Sequence, residues 1–299
     1  MNQIICLLIR FTGIFYLLKR TILKRKVSIV LYHDPKPDVF EKHIKFLNCH
    51  YTFISMDVLV NAIINKDWSD IPNNSMVVTF DDGHIGNYEL LKTIKKYKIK
   101  PTIYCCSDII GTYRHFWWKE CNISNIERLK IFSNKERLIL LRDKYNFWND
   151  KVYSDKQALD YEQIIELSKF STIGSHTQFH SVLTCCESNE IEDEIYFSKN
   201  KIEELTATEC QHFCYPNGDY NQEVINKLKI AGYKSARTID VGWNDINTDP
   251  FRLKITGITD NASLTHVIAQ LTGITMFLRY LSEGSFRGLY KTTSVKEKL

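Results

Sequence analysis

Three short stretches of this 299-residue chain combine residue types that do chemistry. In the first, Thr79-Phe80-Asp81-Asp82-Gly83, two carboxylates stand side by side after an apolar run. Their charges repel, so a cation or a shared proton must hold them together. Their side chains point in different directions, so one can bind a metal while the other stays available as a base. In the second, Gly174-Ser175-His176-Thr177-Gln178-Phe179-His180, two histidines stand four residues apart. On a helical turn that spacing puts both imidazoles on one face, the arrangement of paired metal ligands. In the third, Tyr215-Pro216-Asn217-Gly218-Asp219, proline and glycine make a rigid turn that can aim backbone N–H groups at an oxyanion. Each stretch alone reads as a solvated turn or a surface helix face. Together they offer two histidines and a carboxylate, a set that leaves coordination positions open to water, as catalytic sites do.

The elements that must position these groups follow from hydrophobic patterning. Short apolar runs at 28–33 and 76–80 read as buried strands, and 101–105, 171–175, 211–215 and 234–238 as further strands. Helical spacing covers 38–48, 56–65, 87–97, 160–168, 188–205, 221–231 and 263–272. Strands alternating with helices predict a parallel α/β sheet or barrel, whose chemistry gathers past the carboxyl ends of the strands. All three stretches fall at such ends. The aromatic and charged segment 112–158, with Phe116, Trp117, Trp118, Tyr145, Phe147 and Trp148, breaks the rhythm and reads as a helical insertion over one face. Trp117 and Trp118 are either sugar-stacking rings or core anchors of that insertion.

The motifs, in this order, resemble those of the polysaccharide deacetylase family, also called the NodB-homology domain or carbohydrate esterase family 4. Residues 79–83 match its first motif and 176–180 its second; Phe213-Cys214-Tyr215-Pro216-Asn217-Gly218 is similar to the turn form of its third. Leu31-Tyr32-His33 and Gly232-Tyr233-Lys234-Ser235-Ala236 also read like members of this family, and the resemblance covers residues 27–273. It implies a distorted (β/α) barrel with fewer than eight regular strands, and metal-dependent removal of N- or O-acetyl groups from an acetylated sugar, polysaccharide or lipid-linked glycan. By position, Asp82, His176 and His180 then bind a divalent metal, usually Zn2+, and Asp81 is the general base. The metal and the backbone N–H of Asn217 hold the oxyanion.

The chain also departs from the family pattern. Cys214 stands where many members have an arginine. Gly242-Trp243-Asn244-Asp245 is no convincing match to the family's acidic-Trp element, and His266 reads as a surface histidine rather than the expected general acid. His33, at the end of a strand on the active face, is the substitute acid, with His84 behind it. Without a general acid the alternative is a carbohydrate-binding or scaffold protein on the same fold. A metal phosphoesterase lacks support, because no Gly-rich phosphate cradle is present.

Composition sets the outer bounds. With 44% hydrophobic and 25% charged residues the chain is an ordinary globular one, and a net charge of +4 gives no argument for nucleic acid. Nine cysteines without a CxxC pair read as mostly reduced thiols, which favours a reducing compartment. Residues 1–26 carry an apolar stripe from Ile4 to Ile22 joined to Lys19, Arg20, Lys24, Arg25 and Lys26. This predicts an amphipathic helix, either on the protein's own core or on an anionic membrane surface. The expected location is cytoplasmic and peripheral to the membrane. Residues 274–299 are expected as a C-terminal tail.

Overall fold

A computed structural model of the chain describes residue 6 and residues 12–274. Its eight strands are β1 (Val27–Tyr32), β2 (Thr52–Phe53), β3 (Ser75–Phe80), β4 (Thr102–Cys105), β5 (Thr172–Ser175), β6 (His212–Cys214), β7 (Ser235–Val241) and β8 (Leu253–Gly257). All pair in parallel, and β1 pairs with both β3 and β8. Seven strands therefore close into a barrel in the order β1-β3-β4-β5-β6-β7-β8. The two-residue β2 lies outside the ring, against the first half of β3. The expected distorted barrel with fewer than eight regular strands is the observed fold. β2 and β8 are not among the strands expected from the sequence.

Every residue of β1 and β3 is buried, which explains why both read as unbroken apolar runs. Alternate residues serve different partners. Val27, Ile29, Leu31, Val77, Ile239, Leu253 and Ile255 form one cluster with Met56, Leu59, Val60 and Ile63 of helix α3 (Met56–Asn65). Val30, Tyr32, Met76, Val78 and Phe80 pack instead with the outer helices, including Phe40, Ile44 and Leu47 of α2 (Pro37–Asn48). So α3 fills the barrel's interior from its amino end. Asp57 in its first turn accepts from His212 Nε2 (2.9 Å) and Thr172 Oγ1 (3.3 Å) and pairs with Lys100 (3.4 Å), all at the amino ends of β6, β5 and β4. His212 Nδ1 in turn meets Ser235 Oγ at 2.8 Å.

Helices α4 (Leu91–Tyr97), α7 (Tyr161–Ser168), α8 (Ser188–Thr206), α9 (Gln222–Ile230) and α10 (Leu264–Leu271) complete the outer layer. The helix expected at 87–97 is split, with a 3₁₀ segment over Ile85–Leu90 before α4. The segment 112–158 does contain helices, α5 (Ile123–Leu129) and α6 (Asn134–Tyr145). They close a small core of Trp117, Leu129, Leu141 and Phe147.

Of the amphipathic helix expected over 1–26, residues 1–5 and 7–11 lie outside the described residues. The described part is α1 (Ile14–Arg20). Phe15 is buried against Phe46, His50 and Tyr51. Lys19 is a correction to the expected basic cluster: it is buried, donates to the His50 carbonyl and lies over the Tyr51 ring. Burial lowers its pKa. The tail beyond residue 274 also lies outside the described residues. No described helix is long and apolar enough to cross a membrane. All nine cysteines are unpaired thiols.

The barrel's base generates one stability prediction. The His212 hydrogen bond, working against the cost of burial, holds the Asp57 carboxyl below the usual carboxylate range. A depressed carboxylate stabilises above its unfolded pKa, about 3.9, and loses that contribution as pH falls toward its folded value. Asp57→Ala should lower stability by on the order of 2 kcal/mol at pH 7. Denaturant melts should show the gap to wild type shrinking below about pH 4.

Candidate functional site

The three motifs meet at the carboxyl ends of β3, β5 and β6, around one cavity of about 430 Å³. Asp81, Asp82, His33, His84, His176, His180 and Asn217 all line it, with Trp118 and Lys130 from the insertion and Asp260 from the loop after β8. The sequence-predicted site residues are thus brought together.

The first motif works by a sharp reversal. Asp82 and Gly83 both have left-handed backbone, φ 70° and 74°. Aspartate tolerates this conformation and glycine carries no penalty there. A Cβ on Gly83 would sit 2.9 Å from Cys105 Sγ, so only glycine lets the chain turn against β4. The turn separates the two carboxylates. Asp82 Oδ2 meets His84 Nε2 at 3.1 Å. Its Oδ1 is buried without a hydrogen-bond partner, 3.5 Å from His176 Nε2 and 3.7 Å from His180 Nε2.

The second motif corrects an expectation. Residues 176–180 are not a helical turn, because Thr177 and His180 have φ 64° and 58°. The two imidazoles converge because the loop is folded back on itself. Glu194 of α8 clamps it, accepting from Gln178 N (2.7 Å) and Ser181 Oγ (2.6 Å). Burial raises the Glu194 pKa, while these hydrogen bonds pull it back down. His176 Nδ1 lies 2.8 Å from the Cys214 carbonyl and so donates to it, which leaves Nε2 as the lone-pair face toward Asp82. Burial, and then His176, push the His180 pKa well down, keeping it a neutral imidazole. Burial raises the Asp82 pKa, but His84 and then His180 and His33 outweigh it and hold the carboxylate ionised.

Asp82, His176 and His180 therefore fit a divalent cation: three converging, buried donors, one of them a carboxylate oxygen with no other partner. A second grouping, Asp81, His176 and Cys214, also lies within ligand distance. It fits poorly, because Asp81 is engaged elsewhere and burial raises the Cys214 thiol pKa well above its ordinary value.

What engages Asp81 is a residue the sequence analysis missed. Arg237 on β7 donates through one guanidinium nitrogen to both Asp81 oxygens and to Cys214 Sγ. Cys214 and Arg237 are register partners on β6 and β7. The motif arginine that Cys214 lacks is replaced by one from the adjacent strand. Its only sequence signal is an Arg inside the strand expected at 234–238. Burial works against the charge, but Asp81 outweighs it and raises the Arg237 pKa.

The third motif turns through Asn217, φ 57°, and Gly218, φ 72°. A Cβ on Gly218 would meet the Ile239 backbone nitrogen at 2.7 Å. Asp260, also missed, accepts from the backbone of His33 and Asp34 at 2.9 Å each and fixes the turn that carries His33 into the cavity. Trp117 and Trp118 both line the cavity: Trp117 is at the same time buried in the insertion's core, and the Trp118 ring lies 4.3 Å from His180. Trp243 and His266 do not line the cavity. Asn244 instead pairs with Val27 at the amino end of β1.

A family model described as polysaccharide deacetylase matches residues 69–236. The chain belongs to the polysaccharide deacetylase family. It is 24% identical over 230 residues to the Bacillus subtilis protein YxkH, named for the same family; the match spans 73% of this chain and 66% of YxkH. The fold is similar to that of the Streptococcus pyogenes deacetylase PplD, with a TM-score of 0.61, 17% identity and coverage of 82% and 98% of the two chains. IcaB from Ammonifex degensii gives a TM-score of 0.61 at 16% identity, covering 83% and 97%.

The geometry sets a metal test. Losing one of three protein ligands leaves too few for an open site. His176→Ala and His180→Ala should each lose bound zinc by elemental analysis while keeping the wild-type circular dichroism spectrum. Unchanged metal content in both variants would remove the assignment.

Proposed function

We propose that the protein is a metal-dependent hydrolase that removes acetyl groups, N-linked above all, from sugars of a polysaccharide or glycan precursor. One observation carries this reading: the Asp82, His176 and His180 donor set and the separately held Asp81 carboxylate lie in one cavity of sugar size. Asp82, His176 and His180 would hold the ion, and two imidazoles with one carboxylate suit Zn2+. Such an ion, when bound, polarises the acetyl carbonyl and lowers the pKa of water.

The chain's own groups supply the rest. Asp81, oriented by Arg237, takes a proton from the attacking water. Attack forms the new C–O bond and a tetrahedral oxyanion, and its collapse breaks the C–N bond to give acetate and a free amine. The backbone N–H at Asn217 faces the developing oxyanion. His33, fixed by Asp260, protonates the leaving nitrogen. Trp118 offers a flat apolar face to a sugar ring. PplD, solved with acetate bound, supports the product side of this reading. A pure binding scaffold would have no use for the Asp81–Arg237 pair.

Acetate release from a panel of acetylated glycans, with and without added zinc, tests the activity. Asp81→Asn should retain metal and lose on the order of 10² to 10⁴ in turnover. Loss of metal from this variant, with retention in Asp82→Asn, would reverse the two roles.

The register pairing of Cys214 and Arg237 gives a sharper test. Arg237→Ala should lower kcat at least tenfold with little change in KM, because Asp81 loses the group that aims it. Adding Cys214→Arg to that variant should restore much of kcat, since paired positions lie only about 5 Å apart. A folded double variant with no recovery would show that the guanidinium must come from β7.

A further inference from the structure

We propose that the amino end of the barrel is a docking face for an anionic bilayer, with α1 at its centre, so that the cavity opens away from the membrane. Around α1, Tyr16, Leu17 and Ile22 are 51%, 62% and 63% exposed. Arg20, Lys24 and Arg25, all exposed, are interleaved with them. No Asp or Glu precedes Asp34 in the sequence. Apolar side chains mixed with cations are the composition that binds an anionic lipid surface; Asp245 reaches the same stretch and pairs with Lys26 at 3.8 Å, leaving Arg20, Lys24 and Arg25 as its exposed cations.

Two further observations single out this face. The buried side of α1 is already used, by Phe15 and Lys19 against the carboxyl end of α2, so its orientation is fixed and the remaining side faces out. The other chain end also arrives here: Ile274 packs with Ile14 around Cys6 and Ala269.

The face is opposite the cavity. Lys24 and Arg25 lead into the amino end of β1, and the carboxyl end of α2 precedes β2. The candidate site lies past the carboxyl ends of the strands, across the length of β1, about 17 Å at roughly 3.3 Å per residue. Docking therefore holds the cavity clear of the headgroups and presents it to a glycan approaching from the far side, not to a sugar at headgroup level. This inference does not rest on the proposed hydrolysis.

The test is co-flotation of the full chain with phosphatidylcholine vesicles, with and without phosphatidylglycerol, at low and high salt. Binding should need the anionic lipid and fall with salt. The triple variant Arg20→Glu, Lys24→Glu, Arg25→Glu should lower partitioning on the order of 100-fold, at about fivefold per cation. Its acetate release from a soluble substrate should be unchanged. Leu17→Asp with Ile22→Asp should weaken binding even at low salt. An environment-sensitive dye on the exposed Cys49, at the end of α2, should respond to vesicles, and the same dye on Lys119→Cys at the cavity, in a chain also carrying Cys49→Ser, should not. Equal, salt-insensitive flotation of wild type and the charge variant on neutral vesicles overturns the proposal, as does a response only from position 119.

Discussion

Two carboxylates on neighbouring residues, Asp81 at 4% exposure and Asp82 at 3%, are buried at the end of one strand. Left unpartnered, such a pair would take up a proton and lose its use. The structure resolves the conflict by giving each carboxylate partners from a different part of the chain. Arg237 comes from β7, four strands around the ring from β3, and takes Asp81. His84, His176 and His180 surround Asp82. Neither solution is local. The barrel must close before Arg237 and Asp81 can meet, so the ion pair ties the chemistry of β3 to the far side of the sheet.

Separating two adjacent side chains takes backbone geometry that ordinary strands and helices do not provide. Non-glycine residues with left-handed backbone recur at the site: Asp82, Thr177, His180 and Asn217. For the β-branched Thr177 the conformation is unfavourable, on the order of 1–3 kcal/mol. The surroundings hold it in place. Glu194 bonds to both sides of the loop, Thr177 Oγ1 accepts from Ser181 N at 3.1 Å, and the Thr177 carbonyl accepts from Ser107 N at 3.0 Å. Strain at the site is thus offset by hydrogen bonds from α8 and the loop after β4. The burial of Glu194 becomes intelligible as a clamp on the histidine loop.

These contrasts mark what was legible in the sequence. Strands such as β1 and β3 were readable because parallel strands buried on both faces leave a continuous apolar run. The Asp-Asp-Gly and His-x-x-x-His motifs were readable because they occur together, each past the end of an expected strand. The conformation of the second motif was not: a spacing of four suggests a helical turn, and no local rule announces a left-handed threonine. Arg237 and Asp260 were hidden for another reason. Each acts on a residue more than 150 positions away, through pairing that only strand register reveals. Cys214 looked like a lost function; in three dimensions it is half of a compensated pair.

The two ends of the barrel have been given opposite tasks by the same alternation of side chains. Along β3, Val77 faces the interior with α3, and two residues on, Thr79 Oγ1 donates to the Val30 carbonyl of the neighbouring β1. Asp81 continues that inward-facing series at the next step, now at the open end. A plug of α3 side chains makes the lower interior dry and rigid, and Asp57 fastens that plug to β4, β5 and β6. The upper interior can then carry unpaired polar atoms, such as Asp82 Oδ1 and the Asn217 side-chain amide, because the fold does not depend on them for its stability. A closed base is therefore the condition for an open, chemically strained top. The insertion acts on that top alone: its end ties back to the first motif where Ile85 N donates to the Gln157 carbonyl at 3.0 Å and Leu159 N to the Gly83 carbonyl at 2.9 Å. That tether sets Trp118 beside His180, so the segment that broke the strand–helix rhythm is the one that gives the cavity its aromatic wall.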